Sequence, residues 1–150
     1  MWDWKHEYDG DVLTDFRQVP ALLRRKAFTA VFRPPRFANY RTFDALAYVL
    51  MCLGKDFLLC VDEVTTATNG YREGGLCDLL RFSRNQSIDI VWATQRPCCI
   101  PGVLISEVNT MHVFHLHNRQ DLQALRTVLT DDQLQRVAAL PPHHSLTVNL

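Results

Sequence analysis

The sequence lacks net charge and lacks a long apolar segment, and both absences exclude classes of function. Sixteen Lys and Arg residues balance sixteen Asp and Glu residues, so no overall field attracts the chain to nucleic acid or to an anionic membrane. The longest apolar run is far shorter than the roughly 20 residues of a membrane-spanning helix. The first residues also lack the charged-then-apolar pattern of a signal peptide. We therefore expect no membrane segment, and any contact with nucleic acid has to be local.

The basic residues of the first third of the chain have two interpretations. They form either a patch that contacts phosphates or an ordinary solvated surface. Acidic residues flank the cluster, which favours the solvated surface. The cluster consists of Arg17, Arg24, Arg25, Lys26, Arg33, Arg36 and Arg41.

The cysteines lack the spacing of a disulfide framework or of a zinc site. There are five of them, an odd number, and no pair has the Cys-x-x-Cys spacing. His115 and His117 lie two residues apart on a predicted strand, but no third ligand follows at zinc-site spacing. These observations favour a reducing compartment, and we expect a cytoplasmic protein.

What is present is the pattern of an α/β fold. The chain has 150 residues, of which 47% are hydrophobic, and this is enough for one core. Apolar segments typical of strands alternate with segments of helical spacing, which predicts a mostly parallel sheet sandwiched by helices and a single domain over residues 1–150. The predicted strands are residues 2–4, 28–33, 57–61, 88–93, 111–116 and 145–150, and the predicted helices are residues 43–50, 71–84, 118–129 and a short helix opened by a capping box at 130–133.

Two adjacent carboxylates, Asp62 and Glu63, follow the apolar strand at residues 57–61. The next predicted strand, residues 88–93, is also followed by polar side chains, at residues 94–96. Ligands of open α/β sheets bind at the carboxyl ends of the strands. We therefore expect both polar groups at one rim of the sheet. The alternative interpretation is that Asp62 and Glu63 simply end a strand.

The order of these segments resembles that of the HerA–FtsK group of P-loop ATPases, which are ring motors that pump DNA. In that group a strand ending in Asp-Glu is followed by a helix ending in Arg and by a strand ending in Thr-Gln-Arg-Pro, as at residues 62–63, 84 and 94–97 here. Residues 118–150 are similar to its closing helices and strand. The resemblance implies a RecA-like or HerA-like core, ATP and Mg²⁺ as cofactors, double-stranded DNA as partner and a homo-oligomeric, hexameric ring. The short lengths between motifs look most like viral or phage genome-packaging ATPases or plasmid-transfer motors.

The resemblance implies a role for each polar residue at these positions. Asp62 would hold Mg²⁺ through water, and Glu63 would polarise the water that attacks the γ-phosphate. Gln95 would sense the γ-phosphate, with Thr94 beside it in the nucleotide site. Arg84 would reach the nucleotide of the neighbouring subunit as an arginine finger.

Two of these residues also have ordinary structural interpretations. Gln95 could cap a loop. Arg84 could lie at a helix C-terminus because a cation is favoured there by the helix macrodipole. Arg81, one turn earlier, is the second candidate for the finger.

Residues 3–8 are similar to an Asp-x-x-x-Glu-Tyr segment of the group, whose acidic residues lie near the nucleotide and its metal. Here these residues are Asp3 and Glu7, and both are candidates for the nucleotide site. The segment departs from the pattern at His6, where the group often has glycine. A solvated charged loop is an equally good interpretation of this segment.

One motif of the group is missing from the sequence. A phosphate loop has Gly-x-x-x-x-Gly-Lys followed by Ser or Thr, and neither Lys5, Lys26 nor Lys55 stands in such a motif. Gly54 precedes Lys55, and we expect Gly54 to end a helix instead. The group places the loop upstream of the segment where this chain begins. We therefore expect an ATPase core that lacks its first strand, phosphate loop and first helix, and that is inactive by itself.

Two other functions fit the sequence. The chain could be a non-hydrolysing remnant that docks on an intact motor subunit. The helices predicted within residues 118–139 could instead form a DNA-binding helix-turn-helix. Asp131 and Asp132 argue against this second alternative, because they are acidic where a recognition helix would meet phosphates.

Overall fold

A computed structural model describes residues 1–35 and 37–150, and it has the α/β fold that the sequence predicts. Arg36, one member of the basic cluster, lies outside the described residues. The strands are β1 (Asp11–Leu13), β2 (Ala30–Phe32), β3 (Phe57–Val61), β4 (Ile88–Trp92), β5 (Thr110–Phe114) and β6 (Ser145–Asn149). The helices are α1 (Val19–Leu23), α2 (Tyr40–Leu53), α3 (Gly75–Ser83), α4 (Gly102–Ser106), α5 (Arg119–Leu125) and α6 (Asp131–Ala138).

The parallel sheet is assembled around a short segment at Trp2. Trp2 forms parallel bridges with Phe32 at the end of β2 and with Val61 at the end of β3. Its backbone N–H donates to the Cys60 carbonyl at 2.8 Å, and the Phe32 N–H donates to the Met1 carbonyl at 2.7 Å. Since β1 pairs in parallel with β2 and β4 pairs in parallel with β3, the order across the sheet is β1, β2, the Trp2 segment, β3 and β4.

Aromatic side chains pack around the same segment. Trp2 is fully buried, with its ring stacked at 5.6 Å on Phe32 and edge-on at 5.0 Å to Phe43 of α2. Offset and edge-on pairs are the favoured arrangements of aromatic rings, and they add to the free energy gained from burial. This contact fixes α2 against the sheet.

The helix α2 has the apolar stripe that its sequence predicts, and it is longer than predicted. Asn39 accepts a hydrogen bond from the Arg41 N–H at 3.0 Å and so caps the first turn. The helix ends at Gly54, whose N–H donates to the Leu50 carbonyl at 2.7 Å, which confirms the role predicted for that glycine. The buried side chains recur every three or four residues: Phe43, Leu46, Ala47 and Leu50.

The helix α3 begins at Gly75 and not at residue 71, so the predicted start was wrong. The Asp44 carboxylate of α2 accepts a hydrogen bond from the Gly75 N–H at 2.6 Å, and this fixes where the helix starts. A Cβ atom on Gly75 would lie 2.8 Å from the Asp44 Cα atom, closer than real contacts allow. The start of α3 is thus set by close approach to another helix, which the local sequence does not reveal.

The described chain divides into two compact units, Met1–Gln95 and Arg96–Leu150. The second unit contains β5 and β6. Within it, β5 pairs with β6 in an antiparallel register, with Val113 opposite Leu146. The sequence predicted β5 as a member of the parallel sheet, whereas its observed pairing is antiparallel. The predicted caps are confirmed: Asn118 accepts from the Gln120 N–H, and Thr130 forms a capping box with Gln133. The expectation of one domain over residues 1–150 stays a prediction.

None of the helices formed by residues 1–35 and 37–150 combines the length and the apolar character needed to cross a membrane.

The contact between α2 and α3 generates a prediction for stability. Gly75→Ala should lower the free energy of unfolding by about 1–3 kcal/mol, because the new methyl group collides with backbone atoms of α2. Gly102→Ala is the matched control, since Gly102 is also the first residue of a helix and has nothing within 4 Å of the added Cβ. Urea unfolding of both variants measures the difference. Equal stabilities of the two variants would contradict the proposed close packing.

Candidate active site

The two carboxylates predicted as functional follow β3 directly, where the chain changes direction. Glu63 has a backbone φ of 51°, in the left-handed region that residues other than glycine rarely adopt. A short 3-10 turn, Val64–Thr66, follows it. Such backbone strain persists where the surrounding structure holds it in place, and it is found preferentially at functional sites.

Three hydrogen bonds hold the Glu63 carboxylate. Thr65 donates its hydroxyl to Oε1 at 2.7 Å, and Thr94 donates its hydroxyl to the same oxygen at 3.2 Å. The backbone N–H of Gln95 donates to Oε2 at 3.4 Å. The structure thus brings Glu63, Thr94 and Gln95 together at the carboxyl ends of β3 and β4, and the exposed side chain of Gln95 lies at the same rim.

The core of the sheet positions this turn. The buried indole of Trp2 donates from Nε1 to the Thr66 hydroxyl at 3.0 Å, and that hydroxyl donates to the Glu63 carbonyl at 2.8 Å. On the other side, the Val64 N–H donates to the Ala93 carbonyl at 2.8 Å. The turn after β3 is therefore tied both to the centre of the sheet and to the end of β4.

Asp62 is half-buried at the same rim, with Tyr8 near it. The negative charge of Asp62 is the main cause that raises the pKa of the Tyr8 phenol, with partial burial and the Glu7 carboxylate acting in the same direction. Tyr8 is not among the residues that the sequence predicts for the site. Its signal was present, however, as the last residue of the Asp-x-x-x-Glu-Tyr segment.

Asp3 is fully buried, and its carboxylate stabilises the loop that follows it. Its carboxylate accepts hydrogen bonds from the backbone N–H groups of Glu7 (2.9 Å) and Tyr8 (3.3 Å) and from Arg33 Nε (3.0 Å). Burial by itself raises the pKa of Asp3, but these hydrogen bonds and the Arg33 charge outweigh it, and the pKa lies below its usual value. Asp3 therefore shapes the loop over residues 3–8, and the side chain of Glu7 is exposed.

Arg84 lies elsewhere in the same unit. It follows the last residue of α3 and precedes β4, so it is at the amino ends of the strands, whereas Glu63 is at their carboxyl ends. Arg81 forms ion pairs with Glu73 at 2.6 Å and with Asp78 at 3.5 Å. The structure therefore places Arg84 at the end of the strands opposite to the rim that carries Glu63.

Arg96 has an acidic neighbour within the second unit. Its Nε donates to Asp121 at 3.0 Å, and the Cys98 N–H donates to the other oxygen of the same carboxylate at 3.1 Å. Asp121 is buried at 2% exposure. This ion pair holds the segment after the Thr-Gln-Arg-Pro sequence against α5.

A metal ion at the rim would have few protein ligands. Within residues 1–35 and 37–150, no three His, Cys, Asp or Glu side chains converge as they do in a protein-only metal site. Mg²⁺ does not need such a group, because it is usually bound through one or two carboxylates, several waters and the phosphates of a substrate. The single carboxylate of Asp62 fits that kind of binding.

No family model and no curated protein matches this chain in sequence. Solved structures match it in fold. The genome packaging NTPase B204 from Sulfolobus turreted icosahedral virus 2, in complex with AMPPCP, has a TM-score of 0.77 at 14% identity, over 97% of this chain and 70% of that chain. The same protein in complex with sulfate has a TM-score of 0.77 at 15% identity, over 99% of this chain and 73% of that chain.

A third structure is B204, the DNA-packaging ATPase from Sulfolobus turreted icosahedral virus. It has a TM-score of 0.63 at 15% identity, over 82% of this chain and 62% of that chain. At these identities the likeness concerns the fold. This chain therefore has the α/β fold of an NTPase.

The depressed pKa of Asp3 predicts a pH dependence of stability. A carboxyl whose pKa is lower in the folded state stabilises the fold above its unfolded pKa of about 3.9, and this contribution is lost as the pH falls through the folded pKa. Asp3→Asn should therefore lower the free energy of unfolding by about 1–3 kcal/mol at neutral pH, and the difference from wild type should shrink on acidification.

Urea unfolding at a series of pH values measures this effect. Asp9→Asn, at an exposed position of the same loop, is the control and should leave the profile unchanged. A constant difference between Asp3→Asn and wild type at all pH values would show that the carboxylate charge is not what stabilises the loop.

Proposed function

We propose that this chain is the ATPase core of a DNA-translocating or genome-packaging ring motor. The observation that supports this most is the Glu63 carboxylate, which is held between the ends of two adjacent parallel strands by Thr94 and by the Gln95 backbone. A fixed carboxylate at this rim is what in-line attack of water on a phosphate requires. The fold shared with packaging NTPases supports the same proposal.

In this proposal the residues of the rim divide the work. Glu63 accepts a hydrogen bond from an O–H group of the attacking water and so orients this water. Asp62 holds Mg²⁺ through water, and Mg²⁺ supplies charge that stabilises the phosphate oxygens. Gln95 extends its amide toward the γ-phosphate, where an amide both donates and accepts. Thr94 keeps the Glu63 carboxylate in its orientation.

In this proposal a glycine-rich phosphate loop with a lysine binds the β- and γ-phosphates of ATP. No Gly-x-x-x-x-Gly-Lys motif occurs in the sequence. The B204 chains are longer than this one, which covers 70% and 73% of two of them. We propose that the phosphate loop is supplied from outside residues 1–150.

Arg84 fits a role between subunits better than a role within one. It lies at the end of the strands opposite to Glu63, so a contribution to hydrolysis requires that it reach a neighbouring subunit of a ring. Arg81 is less suited to this role, because Glu73 and Asp78 already pair with it.

The proposal predicts how ATP turnover depends on the phosphate loop. The 150-residue chain with Mg²⁺-ATP should show background turnover, and a fusion that adds a strand, phosphate loop and helix ahead of residue 1 should hydrolyse ATP. In that fusion Glu63→Gln should abolish turnover while nucleotide binding remains, and Arg84→Ala should lower turnover by about 10³ in assembled rings. A phosphate-release assay and nucleotide-binding titrations provide the two measurements.

Glu107→Gln is the control, because Glu107 is an exposed glutamate of the other unit. Normal turnover of the Glu63→Gln fusion would contradict the role of Glu63. A second outcome concerns the unfused chain. If it hydrolyses ATP and Glu63→Gln abolishes that turnover, the proposal that a segment outside residues 1–150 binds the phosphates is wrong.

One observation favours a second candidate function, a non-hydrolysing subunit that docks on an intact motor. Leu58 of β3 and Val91 of β4 point to the same face of the sheet and are 56% and 58% exposed. In the described part of the chain β4 pairs with β3 only, so its other edge has unpaired backbone groups. Asp89 lies opposite Leu58 on the same face, so the exposed apolar surface there consists of the Leu58 and Val91 side chains beside one carboxylate. Exposed apolar side chains next to an open strand edge form a docking surface or an aggregation site.

This candidate predicts self-association of the isolated chain through that face. Analytical ultracentrifugation should detect oligomers of the wild-type chain, and the double variant Leu58→Lys, Val91→Lys should shift the population toward monomer. Tyr48→Lys is the control, because Tyr48 is an exposed aromatic residue on α2. A monodisperse wild-type monomer with a cooperative thermal transition would argue against docking through this face.

A further inference from the structure

A cavity of about 290 Å³ that is open to solvent on one side lies at the same end of the sheet as Asp62, but it is formed by different residues. Its lining consists of Trp4, Lys5, His6, Pro34 and Pro35. The volume is close to the lower limit of small-molecule sites, which begin at about 300 Å³. We propose that this cavity binds one nucleotide unit, a planar base joined to a phosphate.

The two walls of the cavity are fixed by the fold. Residues 4–6 follow the Trp2 segment, and residues 34–35 follow β2; the two strands are parallel neighbours, so both segments leave the sheet at the same rim. The Asp3 N–H donates to the Phe32 carbonyl at 2.9 Å. The ion pair between Arg33 and the fully buried Asp3, at 3.0 Å, joins the walls a second time.

The lining has the chemistry of a base-binding site. Trp4 is half-buried and stacks on Trp2 at 6.5 Å, which limits how its indole can turn. Pro34 is buried and Pro35 is exposed, so their rings form an apolar wall. Flat aromatic and apolar surfaces bind nucleobases by stacking, whatever the base.

The charges of the lining select an anion. Lys5 supplies an exposed ammonium group, and His6 supplies ring nitrogens, whereas no lining residue within residues 1–35 and 37–150 is acidic. The carboxylates of Asp62 and Glu7 are not part of the lining. We therefore expect the phosphate to lie against Lys5 and the base against Trp4.

This inference does not rest on the proposed hydrolysis. The cavity uses neither a phosphate loop nor Glu63, so it can bind a ligand in the 150-residue chain. The nucleotide unit has two possible sources, a free mononucleotide or one residue of a single-stranded DNA. Both have the same base and phosphate, and only a strand adds further phosphates whose binding weakens steeply with salt.

The test is binding of two probes, AMP and a single-stranded oligodeoxyadenylate, to the 150-residue chain by isothermal calorimetry. For whichever probe binds the wild-type chain, Trp4→Ala should weaken the affinity about tenfold or more, the size expected for loss of one stacked base. Lys5→Ala should weaken binding several-fold and reduce its salt dependence. Tighter binding of the oligonucleotide than of AMP, with a steeper salt dependence, would identify a strand as the source.

Two exposed residues that do not line the cavity serve as controls. Tyr71→Ala removes an exposed aromatic ring, and Lys55→Ala removes a lysine at the amino end of β3, which is the opposite end of the sheet. Both should bind like wild type. Trp4→Phe keeps an aromatic ring and should retain most of the affinity. If Trp4→Ala unfolds at a temperature well below that of wild type, Trp4→Phe replaces it in the comparison.

Three results would overturn the proposal. The first is that neither probe binds the folded wild-type chain at low salt. The second is that Trp4→Ala and Lys5→Ala bind like wild type. The third is that Lys5→Ala weakens binding while folded Trp4→Ala does not, because the site would then recognise phosphate without a base.

Discussion

The burial of Trp2 between two parallel strands is the constraint on which the first unit depends. One residue supplies bridges to β2 and β3, stacks on Phe32 and meets Phe43 of α2 edge-on. Without it β2 and β3 would have no common neighbour in the sheet. A fully buried indole also needs a hydrogen-bond partner, and Trp2 finds one in the Thr66 hydroxyl. The same side chain thus joins the core to the turn after β3.

That connection explains how a strained residue is maintained at the rim. Glu63 has a left-handed backbone, which costs free energy for any residue with a Cβ atom. Its carbonyl accepts from Thr66, and its carboxylate accepts from Thr65, Thr94 and the Gln95 backbone. Each of these donors belongs to an element that the parallel pairing of β3 and β4 places there. The orientation of the carboxylate is therefore a property of the sheet.

The rim is a composite of loops that leave neighbouring strands. The loop after the Trp2 segment is shaped by Asp3 and Arg33, which form a buried ion pair. The turn after β3 carries Asp62, and its charge reaches Tyr8 of the first loop. The carboxylates of the proposed hydrolytic site and the cavity that contains Lys5 thus lie at adjacent strand ends. The apolar face at Leu58 and Val91 is a separate surface of the same sheet.

Local sequence determined the features that depend on neighbours along the chain. The strand at Phe57–Val61, the caps at Asn118 and Thr130 and the end of α2 at Gly54 follow from apolar spacing and from side chains that bond nearby backbone groups. The position of Asp62 and Glu63 after an apolar strand follows in the same way. Contacts between distant segments decided the rest. The Asp44 carboxylate fixes the start of α3, strand pairing sets β5 against β6, and Arg33 makes Asp3 a buried structural carboxylate, because each depends on atoms that are far apart in sequence and meet only in the folded chain.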